Sequence, residues 1–112
     1  MTLKSAYNIV LERFKRTDAD IQIKLDKKTR QAIRKFKIEF VNMDKGTLAW
    51  TDFKTKTIFF DIRHCLDDKL EEVADTIIHE YAHVLAGEKA AHTRNWKQTY
   101  GKLKKSVGRI SK

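Results

Sequence analysis

The chain has 112 residues and a mass of 13.2 kDa, enough for one small domain with a modest core. Its formal charge of +9 and sequence pI of about 9.7 favour contact with polyanions, with nucleic acid as the first candidate. No run of about 18 apolar residues occurs, which excludes a membrane span within the sequence.

The first segment predicts an amphipathic helix that ends near Thr17, because its apolar residues recur at helical spacing. Its apolar stretch is charged throughout and lacks a small-residue cleavage site, so we expect no secretion signal. The helical apolar positions are Leu3, Ala6, Tyr7, Val10 and Phe14.

Alternation of apolar and polar residues predicts half-buried strands in the middle of the chain. Turns are predicted at residues 44–46 and 54–56, which gives a short, mostly antiparallel sheet. The alternating apolar residues are Ile21, Ile23 and Leu25, then Phe36, Ile38 and Phe40, then Leu48 and Trp50, then Ile58 and Phe60.

From Leu66 the apolar period changes to 3.6, which predicts a helix capped by Asp67 or Asp68 and ended by Gly87. A last helix is predicted from about Thr93. These elements indicate an α+β fold in one domain, residues 1–112. The apolar stripe of the first of these two helices is Leu70, Val73, Ala74, Ile77, Tyr81, Val84 and Leu85, and that of the last is Trp96, Tyr100, Leu103 and Val107.

Residues 79–83 read HEYAH and lie within the predicted Leu66–Gly87 helix. His79 and His83 are four residues apart, so their side chains project about 40° apart on one helix face. Two imidazoles in this arrangement can bind one ion, and His92, beyond the Gly87 turn, is the predicted third ligand of a zinc site. Trp96 is expected to anchor the following helix so that His92 reaches the metal.

Glu80 projects beside these ligands and is predicted to be the general acid/base rather than a ligand. A carboxylate there can take a proton from a metal-activated water and deliver it to the leaving amine. Tyr100 and Tyr81 are candidates for oxyanion stabilisation, although Tyr81 falls on the apolar stripe and is expected to pack. His64 is expected to be a surface or capping histidine.

His79, Glu80 and His83, followed after eight residues by His92 and then by Trp96, resemble the motif of the SprT-like zinc metallopeptidases. This family includes the Spartan proteases, which act on DNA–protein crosslinks. The resemblance covers about residues 46–100 and implies a zincin-like minimal metalloprotease fold with an active-site helix. It also implies a Zn²⁺ cofactor on the three histidines, catalysis by Glu80, and hydrolysis of peptide bonds in DNA-associated proteins.

Contact with DNA would come from the basic surface, mainly the C-terminal helix and tail, residues 94–112, which contain no acidic residue. Trp50 is a further candidate, although we expect it in the core. Cys65, the only cysteine, is expected to pack in the core of a monomer kept in a reducing compartment. That compartment is the cytoplasm, near the nucleoid, or a host cytoplasm if the source is viral. The predicted nucleic-acid contacts are Arg94, Lys97, Lys102, Lys104, Lys105 and Arg109.

Two other functions remain open at this stage. One is a non-catalytic nucleic-acid-binding module in which zinc is structural and the basic face carries the function. The other is a regulator that cleaves one specific partner protein.

Overall fold

The structure is a computed structural model that describes residues 3–90 and 93–108. It confirms the α+β class, with helices packed on a three-stranded sheet. None of the helices in these ranges combines the length and hydropathy that a membrane span requires. In chain order the elements are α1 (Leu3–Gln22), α2 (Lys27–Arg34), β1 (Lys37–Val41), β2 (Ala49–Asp52), β3 (Thr57–Asp61), α3 (Ile62–Asp67), α4 (Leu70–Ala86), a 3₁₀ turn (Glu88–Ala90) and α5 (Arg94–Val107).

Helix α1 is longer than predicted, and the strand predicted at Ile21, Ile23 and Leu25 is wrong. Ile21 continues the buried face of α1 that includes Phe14 and Thr17, whereas Ile23 is 73% exposed beyond the helix end. Thr17 does not end the helix but lies within it, and its hydroxyl donates to the Arg13 carbonyl one turn earlier at 2.9 Å. The apparent alternation therefore arises at the end of a helix.

The short helix α2 was not predicted. It begins after Asp26, whose carboxylate accepts a hydrogen bond from the Thr29 backbone N–H at 2.8 Å. This is an ordinary N-cap. Ile33 is the buried residue of α2, and the rest of the helix is rich in Lys and Arg.

The sheet is mixed, and the prediction of a mostly antiparallel sheet is wrong. The strand order is β1-β3-β2, with β1 parallel and β2 antiparallel to β3. The turns at 44–46 and 54–56 are both present. Only the second joins neighbouring strands, with the Asp52 carboxylate accepting from the backbone N–H groups of Lys54 and Thr55. With this strand order, β3 lies between β1 and β2.

The predicted Leu66–Gly87 helix corresponds to α4, and a separate short helix, α3, which was not predicted, precedes it. The capping prediction is wrong, because α4 begins after Lys69, with no capping side chain. Asp68 instead contacts His64 and accepts a hydrogen bond through its carbonyl from Arg13. Gly87 ends α4 as predicted, with a positive φ of 94° that favours glycine.

Helix α4 contacts α1, α2, α5 and β2, so most of its circumference is covered. Val73, Ile77 and Tyr81 from the predicted stripe are fully buried, which confirms that stripe as the main core face. Cys65 is also fully buried, as predicted. The orientation of α4 is thus fixed by packing on several sides.

Asp18 on α1 and Tyr81 on α4 form a polar contact at the edge of this core. The Tyr81 hydroxyl donates to the Asp18 carboxylate at 2.5 Å. Burial raises the pKa of Asp18 above its usual range, although the hydrogen bond from Tyr81 opposes that shift. Because the folded state holds this proton more tightly than the unfolded chain, ionisation of Asp18 lowers stability as pH rises.

We expect Asp18→Asn to gain stability relative to the wild type as pH rises from about 4, the ordinary carboxyl pKa, towards 7. Asparagine can still accept from Tyr81 and carries no charge to desolvate. Urea unfolding at both pH values measures the difference, with exposed Asp20→Asn on the same helix as the control. If the wild type instead became more stable relative to Asp18→Asn between pH 4 and pH 7, that result would contradict a raised pKa for Asp18.

Candidate active site

Helix α4 brings His79 and His83 together on one face, as predicted from their spacing. Their Nε2 atoms are 3.3 Å apart, and the His79 side chain is 34% exposed. His83 is also half-buried, so both rings lie at an accessible surface and not in the main core. With Glu80 they form a group whose potential ligand atoms all lie within 4.8 Å of one another.

The separation of the two ring nitrogens fits a shared zinc ion. An ion about 2.0–2.1 Å from two ligands in tetrahedral geometry keeps those ligands about 3.3–3.4 Å apart. The observed 3.3 Å lies within this range. Imidazole is also a preferred zinc ligand. The predicted third ligand, His92, lies outside the described residues.

Trp96 on α5 supports the two rings from the side. Its ring lies 5.2 Å from that of His83 at an interplanar angle of 27°, and 4.6 Å from that of His79. Its indole N–H donates to the His79 carbonyl at 3.4 Å. Trp96 is buried, and it anchors α5 against α4 as the sequence predicted.

Tyr100 continues the aromatic stack one helical turn after Trp96. The two rings are nearly parallel, at 7° with centroids 5.1 Å apart. The Tyr100 hydroxyl donates to Asp75, which also accepts from the Lys104 ammonium at 2.9 Å. The hydrogen of the Tyr100 hydroxyl is therefore already donated to Asp75. Tyr81, the other oxyanion candidate, is buried on the Asp18 side of α4, which confirms that it packs.

Glu80 lies beside the histidines as predicted but is almost fully buried, at 5% exposure. Its Oε1 accepts a hydrogen bond from the Thr51 hydroxyl at 2.7 Å, and its Oε2 lies 3.9 Å from His79 Nε2. Burial raises the pKa of Glu80 to about 7, and the hydrogen bond from Thr51 opposes that rise. A cation bound nearby would favour the ionised form.

Thr51 is the site residue that the sequence analysis missed. The predicted alternation placed Leu48 and Trp50 on the buried face of β2, but these side chains are 45% and 58% exposed. Ala49 and Thr51 face the helices instead, opposite Phe60 and Ile58 of β3. A polar residue at an inward position of this strand was the available signal.

A cleft of about 450 Å³ separates β2 from α4. Residues 49–53 line one wall, and His79, Glu80, His83 and Glu88 line the other. Within the described part of the chain, β2 is an edge strand with β3 as its one neighbour. The candidate ligands and the buried carboxylate therefore open onto a groove beside a strand edge.

His64 is neither a surface residue nor a helix cap, so the prediction of a surface or capping histidine is wrong. Its ring is buried, with Nδ1 2.6 Å from the Asp68 carboxylate and Nε2 2.8 Å from the Thr76 hydroxyl. It links α3 to α4 because Asp68 lies between the two helices and Thr76 lies on α4. Both ring nitrogens are engaged away from His79 and His83.

The predicted nucleic-acid residues lie mainly on the outer face of α5. Arg94, Lys97, Lys102 and Lys105 are exposed. Lys104 is also exposed but forms an ion pair with Asp75, and Arg109 lies outside the described ranges. Trp50 is exposed and stacks on Phe59, so the expectation that it lies in the core is wrong.

Comparison with known proteins gives no match to a family model, a curated protein or a solved structure. The resemblance to the SprT-like peptidases therefore depends on the motif and its spacing.

We expect the purified chain to bind about one zinc ion. His79→Ala or His83→Ala should weaken zinc binding by more than about 100-fold, because loss of a residue that only supports a ligand already costs up to about 100-fold. His92→Ala is expected to weaken it as well. Competitive titration with a zinc chelator measures the affinities. His64→Gln, checked for folding by circular dichroism, should retain zinc. Equal affinity in all four variants would mean that the His79–His83 contact is only a hydrogen bond.

Proposed function

We propose that this chain is a zinc-dependent endopeptidase of the SprT-like type. The observation that carries the proposal is the placement of Glu80. One oxygen of this buried carboxylate is held by Thr51, and the other lies on the side of the paired imidazole nitrogens. A purely structural zinc site needs no carboxylate in that position.

In this proposal His79, His83 and His92 hold the ion, and Trp96 keeps the first two rings in place. Zinc, when bound, supplies Lewis acidity that polarises the scissile carbonyl and activates water. Glu80 accepts the proton of the attacking water and then donates it to the leaving amine nitrogen. Its buried carboxylate can serve both steps because it lies against the ligands on the floor of the cleft.

A substrate in extended conformation fits the edge of β2. The Asp61 N–H donates to the Leu48 carbonyl at 2.9 Å, which fixes the phase of hydrogen bonding between β2 and β3. Along an antiparallel strand, residues whose N–H and C=O groups bond to the neighbouring strand alternate with residues whose groups point away from it. Leu48 bonds to β3, so the N–H and C=O groups of Ala49 and Thr51 point to the open edge. A substrate strand can pair with those groups and lie across the cleft.

The basic face of α5 supports a preference for proteins bound to DNA. Arg94, Lys97, Lys102 and Lys105 are exposed there, and the helix contains no acidic residue. Such a surface binds phosphates without reading sequence. We include DNA contact in the proposal on this basis.

The same surface favours a second candidate, a non-catalytic zinc-containing module that binds nucleic acid. In that case zinc would stabilise the α4–α5 pair and Glu80 would have no chemical role. Substitution of Glu80 separates the two candidates, because only the peptidase depends on its carboxylate.

We expect Glu80→Gln to retain zinc and to lower cleavage by at least about 10²–10⁴-fold, the usual contribution of a general acid/base. Glutamine keeps the size and the hydrogen-bond acceptor but cannot accept the proton. Cleavage of a disordered protein, with and without DNA, gives the rates, and zinc analysis gives the occupancy. Glu72→Gln, the same change at an exposed position of α4, is the matched control. Equal rates for the wild type and Glu80→Gln would refute the proposed mechanism.

We expect affinity for DNA to fall with salt, and triple substitution of Lys97, Lys102 and Lys105 by Gln to make the logarithmic slope shallower by about 0.9 per lost phosphate contact. Fluorescence anisotropy over a range of salt concentrations measures both slopes. The matched control replaces Lys4, Lys15 and Lys28, which are exposed on α1 and α2, by Gln. If both triple variants change the slope equally, the effect is one of net charge and α5 is not the contact surface.

A further inference from the structure

The two oxygens of the Glu80 carboxylate occupy different environments. Oε1 accepts from the Thr51 hydroxyl at 2.7 Å, within the range for a hydrogen bond to an ionised acceptor. Oε2 lies 3.9 Å from His79 Nε2. Thr51 therefore distinguishes the oxygen that faces the sheet from the oxygen that faces the candidate ion.

Thr51 is itself held firmly. Its side chain is buried (8% exposed for the residue) and lies opposite Ile58 on the inner face of the sheet, although its own peptide groups point to the open edge. Its hydroxyl donates to a residue 29 positions later, on α4. The contact therefore joins the edge strand to the helix that carries the histidines, across the floor of the cleft.

The backbone of the same residue lies at the open strand edge. A peptide paired with β2 would hydrogen bond to Thr51, while the Thr51 side chain holds Glu80. The distance between a bound peptide and the carboxylate is then set by one residue of a sheet. Errors of about 1 Å in such a distance cost about 100-fold in rate.

We propose that Thr51 is a positioning residue for Glu80. Its hydroxyl fixes Oε1, so that Oε2 is directed at the water to be deprotonated and at the substrate on the β2 edge. The inference rests on the proposed peptidase function. It adds a residue to that function on the basis of a contact between β2 and α4, outside the HEYAH segment.

The first test compares Thr51→Val with Thr57→Val. Valine keeps the shape of threonine, and Thr57 is a buried threonine of β3 whose hydroxyl donates to the Thr55 carbonyl, away from Glu80. We expect Thr51→Val to lower kcat by about 10- to 100-fold, with KM changed less than about twofold and zinc occupancy unchanged. Thr57→Val should leave kcat as in the wild type. Equal kcat values for the two variants would overturn the proposal.

A second pair of variants covers the case in which Thr51→Val does not fold. Thr51→Ser and Thr51→Ala are both smaller than threonine and differ from each other by the hydroxyl. We expect the serine variant to recover most of the wild-type kcat and the alanine variant to behave as Thr51→Val. If Thr51→Ser and Thr51→Ala lower kcat equally, the effect comes from the methyl group and not from the hydroxyl, and the proposal fails.

A third test uses metal-free protein and no activity. Thr51→Val should lower the urea midpoint of the wild type by more than it lowers that of Glu80→Ala, because the hydrogen bond is lost only in the first background. Equal shifts would mean that the two side chains do not interact, and the inference would fail whether or not the chain is a peptidase. A wild type without zinc or cleavage, but with unequal shifts, would instead refute the peptidase proposal and leave the contact established.

Discussion

The burial of the Glu80 carboxylate is the constraint around which the site is built. Removing an ionised carboxylate from water costs several kcal/mol even after a protein relaxes around it. Small domains have about 5–15 kcal/mol of total stability, so the cost is a large fraction of the whole. The hydrogen bond from Thr51 offsets part of it. An uncharged side chain of similar size would avoid the cost, which is why we associate this carboxylate with chemistry.

Helix α4 can hold such a group because it is packed on several sides at once. Its apolar stripe faces α1 and α2, and its histidines face Trp96 on α5. The direction in which the imidazoles point is therefore decided by apolar contacts on the opposite side of the helix. Helix α5 has two faces of different character, with aromatic rings inside and cations outside. If it contacts DNA as proposed, the DNA and the metal site would lie on opposite sides of one helix.

The sequence predicted those parts of the site that depend on local spacing. The pairing of His79 with His83 follows from the helical period, and the end of α4 follows from Gly87. The burial of Glu80 could not be predicted, because it depends on a strand 29 residues away. The face of β2 was assigned wrongly because Leu48 and Trp50 alternate as well as Ala49 and Thr51 do, and a shift by one residue exchanges the two faces of a strand.

The prediction of a mostly antiparallel sheet was the larger error, and it bears directly on function. A chain of short strands joined by turns suggests a meander, in which β2 would lie in the centre and both of its edges would be paired. Parallel pairing of β1 with β3 places β3 in the centre, a long-range choice that local alternation does not encode. This arrangement leaves the far edge of β2 open within the described residues, beside α4. The same strand can then present peptide groups to a substrate and a threonine hydroxyl to Glu80. The crossover that sequence patterning failed to predict is thus what makes a substrate cleft at this site possible.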